Sequence, residues 1–132
     1  MNDGRPAEVK DPQLARPMGA PPLYAQDGKG LDAIVHAHYF LGGCDWLVTE
    51  YDPGDELAFG WACLNGDRQN AELGYVSLLE LEEVRVPLRV VKEGYESQTI
   101  TLGEQVVELD NDWPEGLSIR EGVELLDRRQ GR

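Results

Sequence analysis

The sequence predicts an α+β fold: a single domain built mainly on an antiparallel sheet, a meander with a short helix after its fourth strand and a second helix at the C-terminus. Three observations predict it. Between residues 33 and 78 four apolar runs of strand composition recur about every ten residues, separated by turn signals. The connections between them are too short for the crossover helices that parallel strands need. Two Ser-x-x-Glu patterns, at Ser77–Glu80 and Ser118–Glu121, mark helix starts. A chain of 132 residues fits one hydrophobic core and is too small for two ordinary ones.

Residues 1–22 carry five of the eight prolines and little apolar content, and read as a flexible arm outside the core. The domain proper then covers 23–132. "LYAQDGKG" leads into it, with Leu23 and Tyr24 placed to dock the arm before a Gly-rich turn. The strands follow: "AIVHAHYFL" up to "GGCD", "WLVTEY" up to "DPGD", "LAFGWACL" up to "NGD", and "ELGYVSL". "SLLELEEV" switches to helical spacing and ends before Pro87. "LRVV", "SQTITL" and "QVVELD" read as further strands. "SIREGVELLDRR" closes the chain as a helix whose basic last turn suits the helix dipole.

Charge narrows the function classes. The net charge is −13, and residues 44–84 hold ten acids against Arg68 alone. Such a field repels nucleic acid and anionic membranes and attracts basic surfaces, which argues against direct nucleic-acid binding and against a membrane partner. No run reaches the roughly 18 apolar residues of a membrane span, and the N-terminus lacks the apolar stretch of a signal peptide. A cytoplasmic setting is expected, with Cys44 and Cys63 as reduced thiols.

Several stretches invite a chemical reading. His36 and His38, the only histidines, stand two apart, so a regular strand would offer both imidazoles from one face. That pair could serve zinc or another divalent metal, given a third donor; a solvated sheet face produces the same period without any metal. "DGKG" lacks the spacing of a phosphate-binding loop and reads as a turn. "EYDPGDE" lacks the ligand spacing of a calcium loop and reads as an acidic turn. No G-x-S-x-G nucleophile stretch exists. Trp46, Trp61 and Trp113, with Tyr24, Tyr39, Tyr51 and Tyr75, are the aromatics that a recognition surface would draw on, and most of them are expected in the core.

The ordered series "PPLYAQDGKGLDAIVHAHYF", "DWLVTEYDPGD" with "FGWA", and "ELGYVSLLELEEV" resembles an uncharacterised bacterial family of unknown function. Its members are small, often carried on plasmids and other mobile elements, and often encoded near antirestriction or conjugation genes. The resemblance spans residues 21–86 and leaves the extra strands and helix of 87–132 outside. It implies no catalytic residue. It does imply a mobile-element setting, in which acidic proteins can present carboxylates where a defence nuclease expects DNA phosphates.

The leading expectation is therefore a non-enzymatic interaction module without a cofactor. Its acidic face, Asp52, Asp55, Glu56, Glu72, Glu80, Glu82 and Glu83, would bind a basic protein, with nucleic-acid-processing and defence enzymes as the candidate partners. The alternative is a metal-binding domain or metal-dependent enzyme using His36 and His38.

Overall fold

The computed structural model describes residues 13–91 and 99–130. Four strands, β1 (Ala37–Leu41), β2 (Cys44–Asp52), β3 (Leu57–Cys63) and β4 (Glu72–Ser77), form the expected antiparallel meander. Gly42 and Gly43 make a two-residue hairpin between β1 and β2, and Gly42 supplies the positive φ that such a turn demands. Helix α1 (Leu78–Glu83) follows, with the Ser77 hydroxyl accepting from the Glu80 amide and Leu78 and Leu81 buried. Strands β5 (Val86–Val91) and β6 (Thr99–Gln105) pair as a separate two-stranded sheet. A two-residue strand, β7 (Glu108–Leu109), returns to β1, so the main sheet runs β4-β3-β2-β1-β7. Helix α2 (Ile119–Arg129) ends the fold behind a complete capping box formed by Ser118 and Glu121.

The two faces of the sheet bury separate clusters. One holds Ala37, Tyr39, Trp46, Val48, Tyr51, Ala58 and Val76, with Leu78 and Leu81 of α1. The other holds Leu47, Trp61 and Cys63 beneath Ile119 and Leu126 of α2. Regular alternation would put Glu50 in the first cluster beside Trp46 and Val48. A β-bulge prevents this: Val48 faces Gly60 while Glu50 faces Phe59, so Thr49 is the extra residue. The parity flips, Tyr51 takes the core position, and Glu50 emerges on the α2 side. The bulge also brings backbones very close. A Cβ on Gly60 would lie 2.0 Å from the Leu47 carbonyl oxygen, so only glycine fits there.

Two features depart from the sequence expectation, and a third is only partly described. Of the proline-rich arm, residues 1–12 lie outside the described residues, while 13–22 are packed rather than free. Leu14 is buried in the first cluster, the Tyr39 hydroxyl donates to the Ala15 carbonyl, and the Tyr51 amide donates to the Pro21 carbonyl. Prolines lack the amides that would otherwise need partners, so such a segment can run across a core through a few side chains and carbonyls. Of "QVVELD", Gln105 ends β6 and only Glu108 and Leu109 form a strand of their own, β7. "SQTITL" begins at residues outside the described ones and is a strand from Thr99.

Candidate functional site

Among the described residues three that are not glycine have positive φ, Glu56, Asn65 and, in the loop before β1, Tyr24. Tyr24 has φ of +73°, a left-handed conformation that a bulky residue adopts only under constraint. The constraint is Glu50. Its two carboxylate oxygens accept from the amides of Tyr24 (2.9 Å) and Gln26 (2.6 Å), and the side chain is buried because the bulge has turned it to this face. Gln26 completes the clamp: its side-chain amide donates to the carbonyls of Ile34 and Thr49 and accepts from the Ile34 amide. The clamp does not bury the tyrosine. Tyr24 is 69 % exposed.

Its ring stands beside β4, where Tyr75 is 55 % exposed, and the two hydroxyls lie 3.4 Å apart. Phe59 packs edge-on against Tyr75 with centroids 5.2 Å apart. Together with Leu73, Asp27 and the top of α2 at Ile119 they enclose a groove of about 350 Å³, and among the described residues no lysine or arginine lines it. The hydrogen bond to Tyr24 is the main cause that raises the Tyr75 hydroxyl from its ordinary value, and the charges of Glu50 and Asp27 add to it. β4 is the end strand of the sheet, with no strand on its outer side among the described residues.

The two histidines are not brought together. Val35 packs into the α2-side cluster and Ala37 into the opposite one, so alternation fails across His36, which is exposed just before β1. His38 is buried beside Trp113, with Nε2 2.7 Å from Asp45 and Nδ1 2.9 Å from Asp110. Both ring nitrogens are thus engaged by carboxylates. Asp110 also accepts from Arg129 on α2. Burial alone would raise the Asp110 carboxyl, but the bonds from Arg129 and His38 outweigh it and hold the group below its ordinary value. Among the described residues, no three or more His, Cys, Asp and Glu side chains are grouped to hold a metal ion.

The expected acidic face is also redistributed. Arg16, from the packed arm, bonds Glu56 at 2.7 Å and Glu82 at 3.0 Å, so those two acids are internal partners. Asp52 accepts from the Gly54 amide within its own turn. Asp55, Glu80 and Glu83 are exposed near this end of the sheet, where the Leu78 amide meets the Glu56 carbonyl. Glu72 is exposed at the other end of β4, opposite Ala62 rather than Leu57.

A family model described as a protein of unknown function (DUF2958) matches residues 22–99. The chain belongs to this family. Comparison with curated proteins and with solved structures finds no match. The DUF2958 region runs past the short helix where the sequence resemblance stopped, and takes in β5. It also contains Tyr24, Gln26, Glu50, Phe59, Leu73 and Tyr75, whereas α2, which covers one end of their groove, lies beyond it. The sequence offers Tyr24 and Tyr75 only as two of seven aromatics, with nothing to set them apart from Tyr39 and Tyr51, and does not reveal Glu50 and Gln26 as supports of the Tyr24 loop. No local signal marks them: Glu50 follows Trp46 and Val48 at regular spacing, and only the pairing with Gly60 and Phe59 on β3 turns it to the other face. Among the described residues no helix is long and apolar enough to cross a membrane.

Proposed function

We propose that this DUF2958 protein is a non-enzymatic binding module that takes a basic segment of a protein partner into the groove between Tyr24 and Tyr75. The observation that carries this reading is Tyr24 itself. A strained backbone costs about 1–3 kcal/mol and persists only where its surroundings hold it. Here a buried carboxylate and a buried glutamine hold it, and the outcome is an exposed ring that contributes nothing to either core. Strain maintained for display is a property of binding sites.

The chemistry of the groove favours a cation. A guanidinium or ammonium over an exposed tyrosine face gains about 0.5–1 kcal/mol, and more where water is excluded. Asp27 and Glu50 line the same groove. The exposed acids Asp55, Glu72, Glu80 and Glu83 add a long-range field, which speeds encounter with a basic partner more than it tightens the complex. The mobile-element resemblance makes nucleic-acid-processing and defence enzymes, with their basic surfaces, the partners to test first.

The test is affinity capture on the immobilised full chain at low and high salt, compared with a Tyr24→Ala, Tyr75→Ala double variant shown to be folded by circular dichroism. Expected is a basic protein retained at low salt, released at high salt and missing from the double variant. Equal capture by both baits, or retention indifferent to salt, overturns the reading.

A further inference from the structure

The register of β4 specifies how a bound segment would lie. The β3–β4 ladder has no irregularity, with Leu57 opposite Ser77, Phe59 opposite Tyr75 and Trp61 opposite Leu73. One residue further, the Leu78 amide donates to the Glu56 carbonyl at 3.0 Å, so the Glu56/Leu78 pair is a bonded one. Bonded and non-bonded pairs alternate along an antiparallel ladder. The pairs at Ala58/Val76, Gly60/Gly74 and Ala62/Glu72 are therefore bonded, and those at Phe59/Tyr75 and Trp61/Leu73 are not. The close approach of the Phe59 and Tyr75 rings agrees, since side chains sit nearest at non-bonded pairs. Leu73, Tyr75 and Ser77 consequently direct their amides and carbonyls outward, away from β3. The same two residues, Leu73 and Tyr75, place their side chains in the groove.

We infer that the outer edge of β4 is a strand-addition site, where an extended basic segment pairs antiparallel with Leu73–Ser77 and sets alternate lysine or arginine side chains against Tyr75 and Tyr24. This rests on the groove reading above and adds the geometry of the bound segment. In an antiparallel pair the residue directly opposite Tyr75 both exchanges main-chain bonds with it and shares its face. One residue of the partner thus satisfies the open edge and fills the groove together. Native edge strands are normally blunted by charge, proline or a cover. This one exposes Leu73 and Tyr75, with Glu72 alone as a charge on the strand. The net charge of −13 opposes self-pairing and favours a basic strand as the occupant.

The probe is an end-capped hexapeptide alternating arginine and valine, titrated into the full chain by calorimetry, with amide hydrogen exchange as a second readout. Expected is salt-sensitive binding that slows exchange at Leu73, Tyr75 and Ser77. N-methylation of the arginines, whose amides would face β4, should weaken binding about tenfold or more, whereas N-methylation of the valines should leave it unchanged. Binding that the Tyr24→Ala, Tyr75→Ala variant abolishes but arginine N-methylation spares would retain the groove and overturn strand addition. Sensitivity at the valines instead overturns the antiparallel register. No binding, or equal binding of a glutamate–valine peptide, overturns both readings. A concentration-dependent dimer in sedimentation that Tyr75→Ala dissociates would make a second copy the occupant and likewise overturn the inference.

Discussion

Tyr24 sets fold stability against binding in a single side chain. Glycine adopts a positive φ without steric cost, so Tyr24→Gly relieves the strain while leaving the amide that Glu50 holds. Little packing is lost, because the ring is exposed. The variant should be more stable than the native protein by about 1 kcal/mol in urea unfolding, yet fail to capture the basic partner. Lower stability with unchanged binding would mean that the ring serves the fold. Glu50→Gln tests the support from the other side. An amide offers one acceptor where the carboxylate offers two, so either the Tyr24 or the Gln26 amide meets a donor instead. A loss of about 2 kcal/mol is expected from a buried, charge-assisted pair. Neither residue's role was legible in the sequence. Tyr24 was visible as an aromatic near a glycine turn, but its dihedral depends on a carboxylate 26 positions away.

At the scale of elements, the parts read correctly from sequence are those specified by neighbours in the chain. The four meander strands follow from apolar runs of strand composition bounded by turn residues, and both helix starts follow from Ser-x-x-Glu spacing. The bulge at Thr49 was not legible, because a parity change is defined only against a partner strand and a glycine on it. The packed segment 13–22 was hidden for a related reason: its proline content matches a mobile arm, and its anchors are Tyr39, Tyr51 and the acids that receive Arg16. The C-terminal helix offers the cleanest test of a local signal with a remote effect. Ser118→Ala removes the hydroxyl that accepts from the Glu121 amide, and should cost about 1 kcal/mol. The Ala33 and Leu117 carbonyl bonds that seat the start of α2 beside the pre-β1 segment are backbone bonds and survive. Partner binding should therefore be nearly unchanged while the denaturation midpoint falls. A comparable loss of binding would place the cap in the site itself.

For the whole molecule, charge acts on folding and on binding with opposite signs, and one pair of titrations separates them. Among the described residues three carboxyls lie below their ordinary values: Glu82 through the hydrogen bond from Arg16, Asp110 where Arg129 and His38 outweigh burial, and Glu121 through the Ser118 amide. A group depressed by folding contributes stability that is fully present above its unfolded value and is lost as pH falls through the folded one. The ordinary values are 4.5 for Glu82 and Glu121 and 3.8 for Asp110, so this contribution is intact at pH 7 and declines below about pH 4.5. Self-repulsion runs the other way. A net charge of −13 at pH 7 vanishes towards the isoelectric point near 4.4, and its relief stabilises the fold while the paired acids are still ionised. Thermal stability should thus rise from pH 7 to a maximum near about pH 5 and fall steeply below about pH 4, with Glu82→Gln flattening the acid limb. At pH 7, added salt screens repulsion beyond a Debye length of about 10 Å at 0.1 M, so it should raise the melting temperature while weakening capture of a basic partner. If salt moves both in the same direction, the acidic surface is not what draws the partner.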